Sequence, residues 1–289
     1  MNERTYCSDL CLAADEPLLG TADRVDVWLL LEYKPVWKAK AVTDNDLSEV
    51  TRGWLQSSID GLADKGLKAR PQFIRRPELE PGSNVEETTL YVGTADELFE
   101  FSARSYKSLT DVDVVDLVEK RDGPRADAPR YFVCTNGQRD LCCARYGLPT
   151  YARLREMVAE RVWQTTHLGG HRFAPNVLAL PQGVLYGRVV PDEVEAFVGC
   201  VEAGEISRRH IRGRSVFPPP AQAAEILSRD EVIELVSVDG DDDRAQVELR
   251  TRQGSISIGI ERCPEALDIQ TSCKDEVTKP IYPYREQTR

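Results

Sequence analysis

Two of the three histidines in this 289-residue chain stand four apart in THLGGHRFAPN (166–176), with Leu-Gly-Gly between them. Upstream, CTNGQRDLCC (134–143) supplies cysteines at 134, 142 and 143. Thiolates and neutral imidazoles ligate zinc and iron. Histidines four apart on a helix share a face, as in the zinc-protease pattern, but that pattern requires a glutamate after the first histidine, where this chain has Leu168. Gly169 and Gly170 instead suit a loop that bends around a bulky ligand with both rings turned inward, and an iron-sulfur cluster is such a ligand. Zinc remains an alternative, because Cys2His2 is a common tetrahedral set. Zinc ribbons and fingers, however, usually separate their cysteines by about two to four residues, whereas eight lie between Cys134 and Cys143. A dithiol oxidoreductase is the third reading; it lacks a CxxC and leaves the histidines without a task.

These side chains need elements to position them. VDVWLLLEY (25–33) reads as a buried strand, and DLSEVTRGWLQSSIDGLADKG (46–66) as a helix with Leu47, Trp54, Leu55, Ile59 and Leu62 roughly on one face. LKARPQFIRRPE (67–78) and ETTLYVG (87–93) read as strands, and ADELFEFSARS (95–105) as a helix with acids in its first turn. EKRDGPRADAPR (119–130) is the best linker candidate. The order then repeats. PRYFVCT is a strand, LPTYARLREMVAERV (148–162) a helix and VWQTTHL a short strand; NVLALPQGVLYGRV is a strand pair turning at Gln182 and Gly183, and PDEVEAFVGCVEAG is a helix with Pro191 near its start. LYVGTADELFEF (90–101) echoes LYGRVVPDEVEAF (185–197), which suggests two similarly built α/β halves. Cys134 ends a strand and Cys143 lies just before a helical stretch, the edge where open α/β folds usually do chemistry, and the histidine loop can return to that edge.

Beyond the proline stop at 218–220, AQAAEILSRDEVIELVS reads as a helix and AQVELRTRQGSISIGIER as two strands around Gln253 and Gly254. From residue 217 onward, 9 basic side chains face 15 acidic ones, which argues against a winged-helix DNA reader. DGDDD (239–243) lacks the register of a calcium loop and reads as a solvated turn. The whole chain carries 37 lysines and arginines against 48 acids, a net charge of −11, so nucleic acid is not an expected partner. No apolar run is long enough for a membrane span, and MNERTYCSDLCLAADEP lacks the character of a signal peptide. The expectation is a cytoplasmic protein whose eight cysteines are core thiols, redox thiols or metal ligands.

Together, PLLGTA (17–22), CTNGQRDLCC (134–143) and HLGGHRFAPNVLALPQG (167–183) make most of residues 7–200 resemble the sucrase/ferredoxin-like proteins, which are related to thioredoxin-like [2Fe-2S] ferredoxins. The resemblance implies that the second half is thioredoxin-like and carries a [2Fe-2S] cluster, so the chain reads as two tandem thioredoxin-like halves, 1–122 without cluster ligands and 123–216 with the cluster, followed by the helix-hairpin appendage over 217–289. It implies ligation by Cys134, Cys143, His167 and His171, with Cys143 preferred to Cys142 from the spacing after Arg139 and Asp140. The implied role is electron transfer with a redox partner protein, a carrier more than a catalyst. Sugar hydrolysis, which the family name mentions, needs a disposed carboxylate pair, and nothing in the sequence singles one out.

Exchanging two anionic thiolates for neutral imidazoles lowers the negative charge around a cluster, which predicts a raised potential that is coupled to imidazole protonation. Asn136 and Gly137 are candidate hydrogen-bond donors to the sulfurs, and Arg139 and Arg172 candidate sources of positive field. Cys7 and Cys11 read as packing, and Cys200 as a core thiol. Cys263 and Cys273 are a possible second site without visible partners, and the four tryptophans read as packing. His210 reads as solvated within a basic patch of Arg208, Arg209, Arg212 and Arg214, a patch that would alternatively dock an acidic partner.

Overall fold

The structure is a computed structural model that describes residues 5–77, 87–228 and 230–288. After a short helix α1 (Cys7–Ala13), the first half runs β1 (Val27–Glu32), α2 (Glu49–Asp64), β2 (Ala69–Arg75), β3 (Thr88–Gly93) and β4 (Leu98–Ala103), then the helices α3 (Tyr106–Leu109) and α4 (Val114–Lys120). The second half runs β5 (Arg130–Cys134), α5 (Leu141–Val158), β6 (Val162–Thr165), β7 (Val177–Leu180), β8 (Val184–Tyr186), α6 (Val194–Glu202) and β9 (Ile211–Arg214). In each half a parallel β-α-β unit is followed by an antiparallel hairpin. The hydrogen-bonded order β4-β3-β1-β2 therefore mirrors β8-β7-β5-β6, the thioredoxin arrangement built twice.

The halves meet where β2 pairs antiparallel with β6, through Ile74–Thr165 and Arg75–Gln164, so nine strands form one continuous sheet. Each half would otherwise end there in an unpaired edge. The sheet curls enough that a Cβ on Gly93 of β3 would lie 2.6 Å from Leu180 of β7. Side chains from both halves share one core: Trp28, Leu30, Ile74 and Tyr91 pack with Phe132, Trp163, Leu178 and Leu180, and Cys134 and Cys143 belong to it. The opposite faces are covered by α2 and α4 in the first half and by α5 and α6 in the second.

Several local expectations are corrected. ADELFEFSARS does not open a helix: Leu98–Ala103 is β4, whose Phe99, Phe101 and Ala103 alternate toward the first-half core. The helix expected from 148 begins at Leu141, because Asp140 caps it by accepting the Cys142 N–H at 3.0 Å, and Pro149 lies inside it. The 90–101 and 185–197 strings are not structural equivalents, since the first enters the third strand of its half and the second leaves the fourth. Duplication rests on strand order instead. The strand expected over 67–78 ends at Arg75, and its last residue, Glu78, lies outside the described residues.

The C-terminal region is more than a helix and a hairpin. Helix α7 (Pro219–Leu227) covers a four-stranded sheet ordered β10 (Val232–Gly240), β11 (Arg244–Thr251), β12 (Gly254–Arg262), β15 (Tyr284–Glu286). A ribbon of β13 (Leu267–Ile269) and β14 (Lys279–Ile281) carries the connection back. DEVIELVS was expected to continue the helix and instead opens β10. In the acidic turn, Asp241 accepts the N–H groups of Asp243 and Arg244. No helix among the described residues is long and apolar enough to cross a membrane.

Candidate metal centre

Cys134 ends β5 and Cys143 lies in the first turn of α5, both fully buried, and the loop after β6 brings His167 over them. His167 Nδ1 lies 3.6 Å from Cys143 Sγ and 3.9 Å from Cys134 Sγ. Its Nε2 lies 3.4 Å from His171 Nδ1, with the rings tilted at 37°. The four residues of the expected ligand set thus form a continuous chain of donors. Cys142 turns away: its Sγ meets Cys7 Sγ at 3.4 Å and Cys273 Sγ at 3.2 Å.

The loop backbone is held from several directions. Arg212 of β9, fully buried, donates to Gly169 O at 3.0 Å and to Asn176 Oδ1 at 2.9 Å, and also to the backbone and hydroxyl of Thr21. Arg70 and Gln72 of β2 donate to His167 O at 2.9 and 3.2 Å, and Gln72 also bonds the Thr166 hydroxyl. Gly170 adopts φ +62°, and a Cβ there would lie 2.4 Å from Arg212 Nη2. Glycine is needed both for that conformation and for the close approach. The spacing of the ligand motifs does not reveal Arg70, Gln72 and Arg212, which lie within β2 and β9 and reach the loop only through the folded sheet.

Electrostatics separates the two thiols. The Cys143 thiol, by donating to it, and His167 hold Cys134 well below the usual thiol range, while the same bond and burial push Cys143 up. Burial pushes the His171 imidazole down. Its Nε2 is buried without a hydrogen-bond partner, 3.5 Å from Asp140 Oδ2. Burial lowers the Arg212 pKa to about 10, so the guanidinium still carries its charge at neutral pH.

The expected helpers are placed differently. Asn136 donates to Lys38 O and accepts from Arg139 N, so its amide is used in the loop and not on a sulfur. A Cβ on Gly137 would press Ala144, so that residue serves packing. Arg172 is paired with the buried Glu16 through bonds of 2.8–3.0 Å, which offsets its field. Arg139 is exposed on the rim of two clefts of about 360 and 370 Å³, one reaching His171 and the other His167. The basic patch around His210 does not form. Arg212 is buried, Arg214 pairs with Glu225, Arg208 binds the carbonyls of Ser228 and Asp230, and Arg209 pairs with Glu193. His210 is itself buried, between Ser207 Oγ at 2.8 Å and Glu193 Oε2 at 2.7 Å.

The sucrase/ferredoxin-like family model matches residues 18–213, about two thirds of the chain. The chain belongs to the sucrase/ferredoxin-like family. That stretch contains both cysteines, both histidines, Arg70, Gln72 and Arg212. Curated relatives that share a 93-residue stretch are proteins named altered inheritance of mitochondria protein 32, from Meyerozyma guilliermondii (32% identical) and Debaryomyces hansenii (30% identical). The match covers 28% of this chain and 33–34% of theirs, so this sucrase/ferredoxin-like chain spans about a third of the curated relatives it matches. A solved thioredoxin-like [2Fe-2S] ferredoxin from Aquifex aeolicus is 22% identical; the alignment covers 32% of this chain and 97% of that one, with a TM-score of 0.28, too low to support a conclusion.

Proposed function

We propose that the protein is a one-electron carrier holding a [2Fe-2S] cluster through Cys134, Cys143, His167 and His171. One observation carries this reading: two buried thiols from a strand end and a helix start meet the His167 imidazole, which in turn meets His171 of the same glycine-bent loop, in a sucrase/ferredoxin-like chain. The residues fit the group by the chemistry of the donor set, two soft sulfurs at one end and two imidazoles at the other.

Such a cluster would accept and release one electron at a potential above that of a four-cysteine ferredoxin. The chain's own residues do the rest. Arg212, Arg70 and Gln72 fix the loop, the shared core keeps water from the sulfurs, and His171 Nε2 beside Asp140 is the atom where a proton is held when charge is added. The clefts at His167 and His171 give a redox partner protein access to the imidazole side. A reducing compartment such as the cytoplasm suits eight unpaired cysteines.

A second reading has its own observation. Cys134, Cys143 and His167 place their donor atoms within 4.8 Å of one another, which also fits three vertices around a single zinc ion. Anaerobic purification with iron, sulfide and zinc analysis, followed by EPR of the dithionite-reduced protein, separates the two. The expected result is about two irons and two sulfides per chain with a rhombic or axial signal, both lost in Cys134→Ser. A colourless protein whose zinc is lost in Cys134→Ser would replace the cluster by a structural ion.

A further inference from the structure

Beside this centre lies a second cluster of metal-ligating atoms, whose three sulfurs the electron-carrier reading does not use. Cys7 Sγ, Cys142 Sγ and Cys273 Sγ form a triangle with sides of 3.4, 3.2 and 3.7 Å. Asp140 Oδ1 lies 3.9 Å from Cys7 Sγ, and the four donor atoms all fall within 4.8 Å of one another. The residues come from α1, the first turn of α5 and the loop between β13 and β14, and are separated by as many as 266 positions along the chain. Cys7 and Cys273 both lie outside the segment 18–213 that matches the family.

We propose that Cys7, Cys142, Cys273 and Asp140 bind one zinc ion. A disulfide joins only two sulfurs, at about 2.05 Å, and would leave the third thiol of the triangle unexplained. Zinc with sulfur at about 2.3 Å sets the edge of a tetrahedron at about 3.8 Å, matched by the 3.7 Å side and somewhat longer than the other two. An iron-sulfur cluster holds the thiolates on different irons farther apart than these sulfurs lie. Three thiolates alone also suit copper(I), but the carboxylate at the fourth vertex is a hard donor that favours zinc.

The surroundings are already organised for ligation. Asp140 is fully buried; its Oδ2 accepts from the Ser272 hydroxyl and the Cys273 N–H at 2.8 and 2.9 Å, and its Oδ1 accepts the Cys142 N–H at 3.0 Å and keeps a second lone pair for the metal, so the carboxylate is fixed in orientation beside the sulfurs. Burial and the Ser272 bond act in opposite directions on this carboxyl, and the bonds win, keeping it below its ordinary range. Zinc would displace three thiol protons and tie the N-terminal helix and the C-terminal ribbon to the helix that carries Cys143.

The test is metal analysis of the full-length protein purified with the cluster intact. It should contain about one zinc per chain besides iron, and zinc-edge absorption should show about three sulfurs and one oxygen. Zinc should fall roughly tenfold in Cys273→Ser and in Cys7→Ser, with iron and sulfide retained, and Cys273→His should restore it. Cys200→Ser, away from the triangle, should change neither metal. Absence of zinc after exposure to zinc chloride and dialysis, or zinc that survives both serine variants, overturns the site. A Cys7–Cys142 or Cys142–Cys273 disulfide in the protein as purified also overturns it. Iron lost with zinc retained in Cys134→Ser bears on the electron-carrier reading alone, so the two proposals fail separately.

Discussion

At the scale of single residues, the proposed histidine ligation carries a consequence for charge. If both imidazoles hold the cluster, replacing either with cysteine would exchange a neutral ligand for an anion beside the irons, and an added electron would be repelled more strongly. His167→Cys and His171→Cys are expected to keep a cluster and to lower its midpoint by roughly 100–300 mV, read by spectroelectrochemical titration. A midpoint unchanged in both variants would remove these imidazoles from the ligand set. His210 tests a different consequence of burial. Burial lowers its pKa, so the unfolded chain takes up a proton more readily than the folded one. The stability it contributes is present above about pH 6.5 and is lost as pH falls below that value. Urea unfolding at pH 7.5 and 5.5 should therefore show a smaller loss in His210→Gln than in the parent; an equal loss means His210 does not titrate on unfolding.

At the scale of elements, the approach of α5 to the end of β5 decides whether Cys134 and Cys143 can share a ligand. A Cβ on Gly147 would lie 2.2 Å from Cys134 O, so Gly147→Ala must push the helix away from the strand. Overpacking of this kind costs about 1–3 kcal/mol, and the variant should unfold at lower urea and carry less iron per chain. Wild-type iron content at lowered stability would separate the packing role from the ligand role. The ligand motifs were legible because their residue types are rare in this chain and their spacing is local. The helix start at Leu141 was not, because Pro149, nine residues after the Asp140 cap, lies inside the helix, where proline is ordinarily excluded. LFEFSA carries near period-two alternation that the acids before it disguised as helix, whereas VIELVSV repeats two apolar residues and one polar because β10 is bulged after Val232 and Leu235; pairing with β3 and β11 decides both as strands. The adjacent Cys142 and Cys143 did hold a readable signal: consecutive residues on a helix point about 100° apart, so two sulfurs there face different sites. The partners of Cys142 remained hidden because Cys7 and Cys273 are over a hundred residues away in either direction.

At the scale of the whole molecule, the first half lacks cluster ligands yet reaches the centre through β2, which is both its sheet edge and the seam with the second half. Arg70 and Gln72 point their donors across that seam at His167 O, so the first half acts as a clamp on the loop that carries the two histidines. The clamp is specific in direction: it holds the carbonyl of a ligand residue, leaving the imidazole free to face the sulfurs. Removing it should therefore leave the fold largely intact while loosening the loop. For Arg70→Leu combined with Gln72→Leu, two bonds to one buried carbonyl are lost, a cost of about 2–4 kcal/mol. The circular dichroism spectrum should stay native, and the cluster should bleach several-fold faster in air or with a chelator, because each opening of 166–176 exposes the irons. The Cys134 and Cys143 side remains anchored in the shared core, so loss should begin from the histidine side, with EPR lineshape changing before iron is released. Bleaching at the parent rate would mean that the second half holds its loop unaided, through Arg212 and Asn176, and that the first half serves the sheet alone.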